Sequence, residues 1–98
     1  MFAVQSAVTM ISTGEIYEDT YHSFECEVAG GIPYPVAMMW YHNDQTVDHC
    51  EMQALDSPCV LLITRADHQS IVRCQEFQIE YKEGGSAQQT LNVLCRCM

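Results

Sequence analysis

The sequence predicts an all-β fold, a two-sheet antiparallel sandwich of about seven strands. Three observations carry this. Residues around Cys26 alternate, with Phe24, Cys26 and Val28 on one face and Ser23, Glu25 and Glu27 on the other; that is the period of a half-buried strand. Cys26, Trp40 and Cys74 each sit in a stretch that reads as a strand. Turn signals divide the 98 residues at regular intervals, and no segment has the period and length of a helix.

Each element follows in order. Residues 2–12 are mostly apolar, with Val4, Val8 and Ile11 in weak alternation, and predict one or two short edge strands. Thr13-Gly14-Glu15 reads as a turn before a strand over 21–29. Gly30-Gly31-Ile32-Pro33-Tyr34-Pro35 is a loop, because glycine permits left-handed backbone and proline fixes φ. The next strand, 36–41, holds Met38 and Trp40 inward and Met39 and Tyr41 outward. Asn43-Asp44-Gln45 turns the chain into a short stretch around Val47. Residues 50–58 show no period, and Cys59-Val60-Leu61-Leu62-Ile63 is a short, continuously apolar strand. After a corner over 65–70, a strand over 71–81 puts Val72 beside Cys74. Glu83-Gly84-Gly85-Ser86 is a hairpin turn, and the last strand alternates through Leu91, Val93, Cys95 and Cys97.

Phe24-x-Cys26-x-Val28-x-Gly30, then Pro33-x-Pro35 and Trp40, resembles the corresponding segment of immunoglobulin-superfamily domains of the I-set and C2-set. Arg65-x-Asp67-His68 before Val72-x-Cys74 is similar to the corner of C2-set domains in nectin-like and B7-like receptors, and Leu91-x-Val93 matches the family's last strand. The resemblance covers nearly the whole chain. It implies a C2/I-type immunoglobulin-like sandwich, a Cys26–Cys74 disulfide between the sheets, and a core of Trp40, Phe24, Val28, Val72, Leu91 and Val93. Two positions depart from the pattern. Val72 stands where the family places its corner tyrosine, and Glu76 falls on an inward position of its strand. Either the strand bulges at Glu76 or its top is exposed.

Six cysteines in one small domain point to an oxidising compartment. Cys50 and Cys59 flank the segment without a period, and a disulfide between them would tie it down. That leaves Cys95 and Cys97, which are expected to bond another chain, giving a homodimer, or residues of a neighbouring domain. Thirteen acidic residues face four basic ones, a net charge of −9, which argues against nucleic acid or anionic lipid as partners. No apolar run approaches a membrane span. The N-terminus has no basic region leading into a long apolar run. The expectation is a single domain, residues 1–98, excised from a secreted or membrane-anchored protein, with Met1 added for expression.

Residues for chemistry are sparse. His22, His42, His49 and His68 are scattered and lack paired ligand spacing, so no metal or other cofactor is expected. Glu15, Glu18 and Asp19 lack the alternation of a calcium loop. No nucleophile elbow, phosphate loop or paired-carboxylate pattern suggests an enzyme. The resemblance implies an extracellular recognition or adhesion module that binds a protein ligand or a homophilic partner. A structural spacer and a secreted effector or inhibitor are the alternatives. With Trp40 inward, Met39, Tyr41, Phe77 and Ile79 would form an apolar patch on one sheet, a composition enriched at interfaces. A bulge at Glu76 would instead turn Phe77 and Ile79 inward and leave Met39 and Tyr41.

Overall fold

The computed structural model describes residues 7–11, 14–29, 37–50, 58–77 and 85–95, excluding the side chains of Ala7, Ala29 and Phe77. Nine strands run through these residues: β1 (Ala7–Ile11), β2 (Ile16–Tyr17), β3 (Thr20–Ala29), β4 (Ala37–His42), β5 (Gln45–Thr46), β6 (Cys59–Ile63), β7 (Ile71–Phe77), β8 (Ser86–Thr90) and β9 (Val93–Leu94). Two single 3-10 turns, Asp48–Cys50 and Arg65–Asp67, are the only helical elements among the described residues. The fold is therefore all-β.

One sheet has the order β1-β3-β6 and another β5-β4-β7-β8, both antiparallel. Strands β2 and β9 form a separate parallel pair. The inward faces of the two larger sheets share one core. From the first sheet come Phe24, Cys26, Cys59, Leu61 and Ile63, and from the second Met38, Trp40, Val72 and Cys74. Leu91 joins them, and Val28 and Val93 pack against the cluster partly buried. Cys26 and Cys74 are bonded across the sheets, and Cys50 is bonded to Cys59. Cys95 is also disulfide-bonded, with its partner outside the described residues.

Several boundaries differ from the sequence reading. The turn after β4 is two residues, not three. Asn43 and Asp44 both take positive φ, 51° and 65°, and Gln45 already pairs with His42. This is the left-handed geometry of a tight hairpin, which Asn and Asp tolerate. The last strand begins at Ser86, within the expected turn, and β8 runs along β7 from Gln75↔Ser86 to Ile71↔Thr90. Ser86, Gln88 and Thr90 on one face of β8 are exposed, and Ala87 and Gln89 on the other are half-buried. The chain then leaves the ladder at Leu91, whose N–H donates to the Ser70 carbonyl (2.8 Å) and whose carbonyl accepts from Gln69 N–H (2.8 Å). It resumes as β9 beside β2, a strand too short to carry a period.

Strand β7 neither bulges nor surfaces at Glu76. Its register with β4 is unbroken from His42↔Val72 to Ala37↔Phe77. Glu76 follows Val72 and Cys74 inward and is 1% exposed. Its Oε1 accepts a hydrogen bond from Gly85 N–H (2.8 Å), while its own N–H donates to the Gly85 carbonyl (3.0 Å). The carboxylate thus completes the β7–β8 ladder where the strands diverge. Glu76→Ala removes this acceptor and leaves a buried N–H, so it is expected to cost about 2 kcal/mol. Glu76→Gln keeps an amide oxygen in place and should cost less than half as much. Urea unfolding of the two variants measures the difference; equal losses would show that packing, not the hydrogen bond, is what Glu76 supplies.

Candidate protein-binding face

The outward side of β4–β7–β8 is built by alternation. Met39 and Tyr41 leave β4 opposite the side that holds Met38 and Trp40. Across the ladder Met39 pairs with Gln75 and Tyr41 with Arg73, and Arg73 and Gln75 pair in turn with Gln88 and Ser86. Met39 and Tyr41 are half-buried. The Arg73 guanidinium lies over the Tyr41 ring, 4.4 Å from its centroid, and its Nη1 is 3.5 Å from an Asp44 carboxylate oxygen. The cation is held by the ring quadrupole on one side and by an exposed acid at the hairpin tip on the other. The described part of this face is thus a tyrosine–arginine stack with a methionine beside it and glutamines around it. The side chain of Phe77 and all of Ile79 lie outside the described residues, as does Cys97.

The corner between β6 and β7 is tied by a serine. Ser70 is buried, and its hydroxyl donates to the Asp67 carbonyl (2.6 Å). That commits the hydroxyl hydrogen, so His42 Nε2, 2.9 Å from Ser70 Oγ, is the donor of their hydrogen bond. The same nitrogen lies 3.5 Å from Asp67 Oδ1, and the other oxygen of that carboxylate accepts from Thr64 N–H (2.8 Å). Serine, histidine and aspartate meet here, but both polar contacts converge on one imidazole nitrogen and the hydroxyl already donates to a carbonyl. A proton relay needs the two nitrogens to serve different partners. The cluster ties the corner between β6 and β7.

The remaining histidines have structural surroundings. His22 packs edge-on against Phe24, 4.9 Å between centroids, and burial pushes its imidazole below its ordinary value, so it is neutral at pH 7. His68 Nδ1 accepts from Val93 N–H (3.1 Å), joining the corner to β9. His49 Nε2 donates to the Val60 carbonyl (2.7 Å). A ring nitrogen of His49 and the sulfurs of Cys50 and Cys59 lie within 4.8 Å of one another, but the sulfurs are bonded to each other and offer no thiolate. Near the N-terminus, Tyr17 donates to Glu15 (2.5 Å), and that hydrogen bond raises the phenol's pKa.

Sequence reasoning singled out Met39 and Tyr41 but not Arg73. The signal was present in principle: Arg73 precedes Cys74 and so must face outward, beside whichever residue of β4 the register brings to it. No protein-family model, no curated protein and no solved structure matches this chain.

Proposed function

We propose that the chain is an extracellular immunoglobulin-like recognition domain of C2 or I type that binds a protein ligand through the outer face of β4–β7–β8. The bond from Cys26 to Cys74 between the sheets, with Trp40 opposite Cys74 in the core, supports the immunoglobulin reading. So does the division of the first strands, β1 pairing antiparallel with β3 and β2 parallel with β9. Two disulfides accord with an oxidising compartment. No helix among the described residues is long and apolar enough to cross a membrane.

The observation that carries the binding role is the Tyr41–Arg73 stack beside Met39. Tyrosine and arginine are the residue types that most often dominate binding energy, and a stacked pair has already lost much of its side-chain freedom. The test is a tetramerised domain screened against an array of receptor ectodomains. For a ligand found this way, Tyr41→Ala and Arg73→Ala are each expected to weaken binding at least roughly tenfold while the melting curve keeps its cooperativity. Unchanged binding by both variants overturns the assignment of the face. A screen without any ligand favours the spacer reading.

A further inference from the structure

The sheet β1-β3-β6 has its own outward face. Tyr21 and Leu62 pair directly across β3 and β6, and Val60 stands two residues from Leu62 on the same side. They are 74%, 53% and 42% exposed, which makes them three of the most exposed large apolar residues described. Further along β3 the same face carries Glu25 and Glu27, both exposed. The basic side chains among the described residues are committed elsewhere: Arg65 to Glu18 at 3.4 Å, and Arg73 to Asp44 on the opposite sheet. This face therefore presents an apolar end and an end that carries Glu25 and Glu27, paired with Ile11 and Thr9 of β1, with no described lysine or arginine between them.

We propose that this face is a second docking surface, for a protein segment that carries apolar side chains together with lysine or arginine. Charge selects that occupant. A second copy laid face to face would set its Glu25 and Glu27 against either these acids or the apolar end, with no cation to meet them, between molecules of net charge −9. Anionic lipid is repelled in the same way. A basic amphipathic segment meets both ends of the face at once. With about 3.4 Å per residue, Glu25 and Glu27 lie about 14 and 20 Å along the strand from Tyr21. The partner's cations must therefore stand that far from its apolar anchor, the distance of two to four helical turns.

The experiment is a nuclear magnetic resonance titration of the isotopically labelled domain with three synthetic helical peptides. One combines leucine and lysine, one leucine and glutamate, and one serine and lysine. The leucine–lysine peptide is expected to shift amides of Tyr21, Ser23, Glu25, Val60 and Leu62, with an affinity that falls as salt rises. The other two should bind at least about tenfold more weakly, because each lacks one of the two matching ends. Leu62→Lys and the pair Glu25→Lys/Glu27→Lys should each reduce binding of the leucine–lysine peptide about tenfold as well. These positions are exposed, so the variants keep the fold, and their unchanged amide spectra away from the face verify it. Tyr41→Ala should leave the titration unchanged, which separates this surface from the one on the other sheet. The proposal is overturned if shifts scatter over the acidic surface, if the charge-reversed variant binds equally well, or if the serine–lysine peptide binds as tightly. Dimerisation of the free domain through this face in sedimentation, or binding to zwitterionic phosphatidylcholine vesicles lost in Leu62→Lys, assigns the surface to another occupant and overturns it too.

Discussion

Replacing Cys26 and Cys74 together by alanine is expected to lower the unfolding free energy by about 4 kcal/mol. The bond closes a loop with a sequence separation of 48, and loop-closure entropy at that length sets the magnitude. Both cysteines are buried and no strand pair among the described residues connects β3 to β7, so the bond is a covalent tie between the two sheets. A domain of this size has a total stability of roughly 5–15 kcal/mol. The variant is therefore expected to have its urea midpoint reduced by about a quarter or more. Removing Cys50 and Cys59 opens a far shorter loop, of separation 9, and should cost visibly less. Equal losses from the two double variants would contradict the entropic account of the longer bond.

Trp40→Ala should cost about 4 kcal/mol, the middle of the range for deleting a buried aromatic. Trp40 is fully buried and sits opposite Cys74 at the centre of the core. Neither sheet can close over so large a void without shifting a backbone that the Cys26–Cys74 bond holds. The indole Nε1 has no hydrogen-bond acceptor among the described residues. That unmet donor is a standing cost of roughly 1–3 kcal/mol. Trp40→Phe removes it while keeping a ring, so it should lose less than half as much as alanine. Unfolding followed by circular dichroism compares the two without relying on the missing tryptophan. A phenylalanine variant as unstable as the alanine one would show that the indole's shape, rather than its burial alone, is required.

How much of this was legible in the sequence varies by element. Strand β3 was clear because its two faces differ in chemistry: Phe24, Cys26 and Val28 against Ser23, Glu25 and Glu27. Strand β6 was visible as a strand but not as a surface. Five consecutive apolar residues have no period, and only pairing with β3 decides that Val60 and Leu62 face out while Cys59, Leu61 and Ile63 face in. That is why the apolar half of the second face could not be read beforehand. Strand β8 was hidden by its glutamines, which suit a partly solvated strand but carry no hydrophobic signal. Glu76 looked like a break in the pattern because nothing local shows that Gly85, nine residues on, brings it a donor. The Tyr41–Arg73 stack depends on the same kind of information, a register between strands far apart in sequence. Local alternation exposes the sides of a strand. Which neighbours meet across a ladder is fixed by the whole fold.

The placement of the two bonds also bears on how the chain becomes oxidised after synthesis. The Cys50–Cys59 loop lies wholly inside the Cys26–Cys74 loop in sequence, so the bridges are nested rather than interleaved. Closing the inner loop costs the unfolded chain about 1.5 kcal/mol less entropy than closing the outer one. Sealing it shortens the outer loop by about nine residues, which eases the second closure by only about 0.2 kcal/mol. The inner bridge can therefore form while the chain is still unstructured. The outer bridge gains little from that head start; it waits for β3 and β7 to face each other. Oxidative folding would accordingly first accumulate a species with the small ring closed and Cys26 and Cys74 still reduced, and arrival of the second bond would mark the assembly of the sandwich itself.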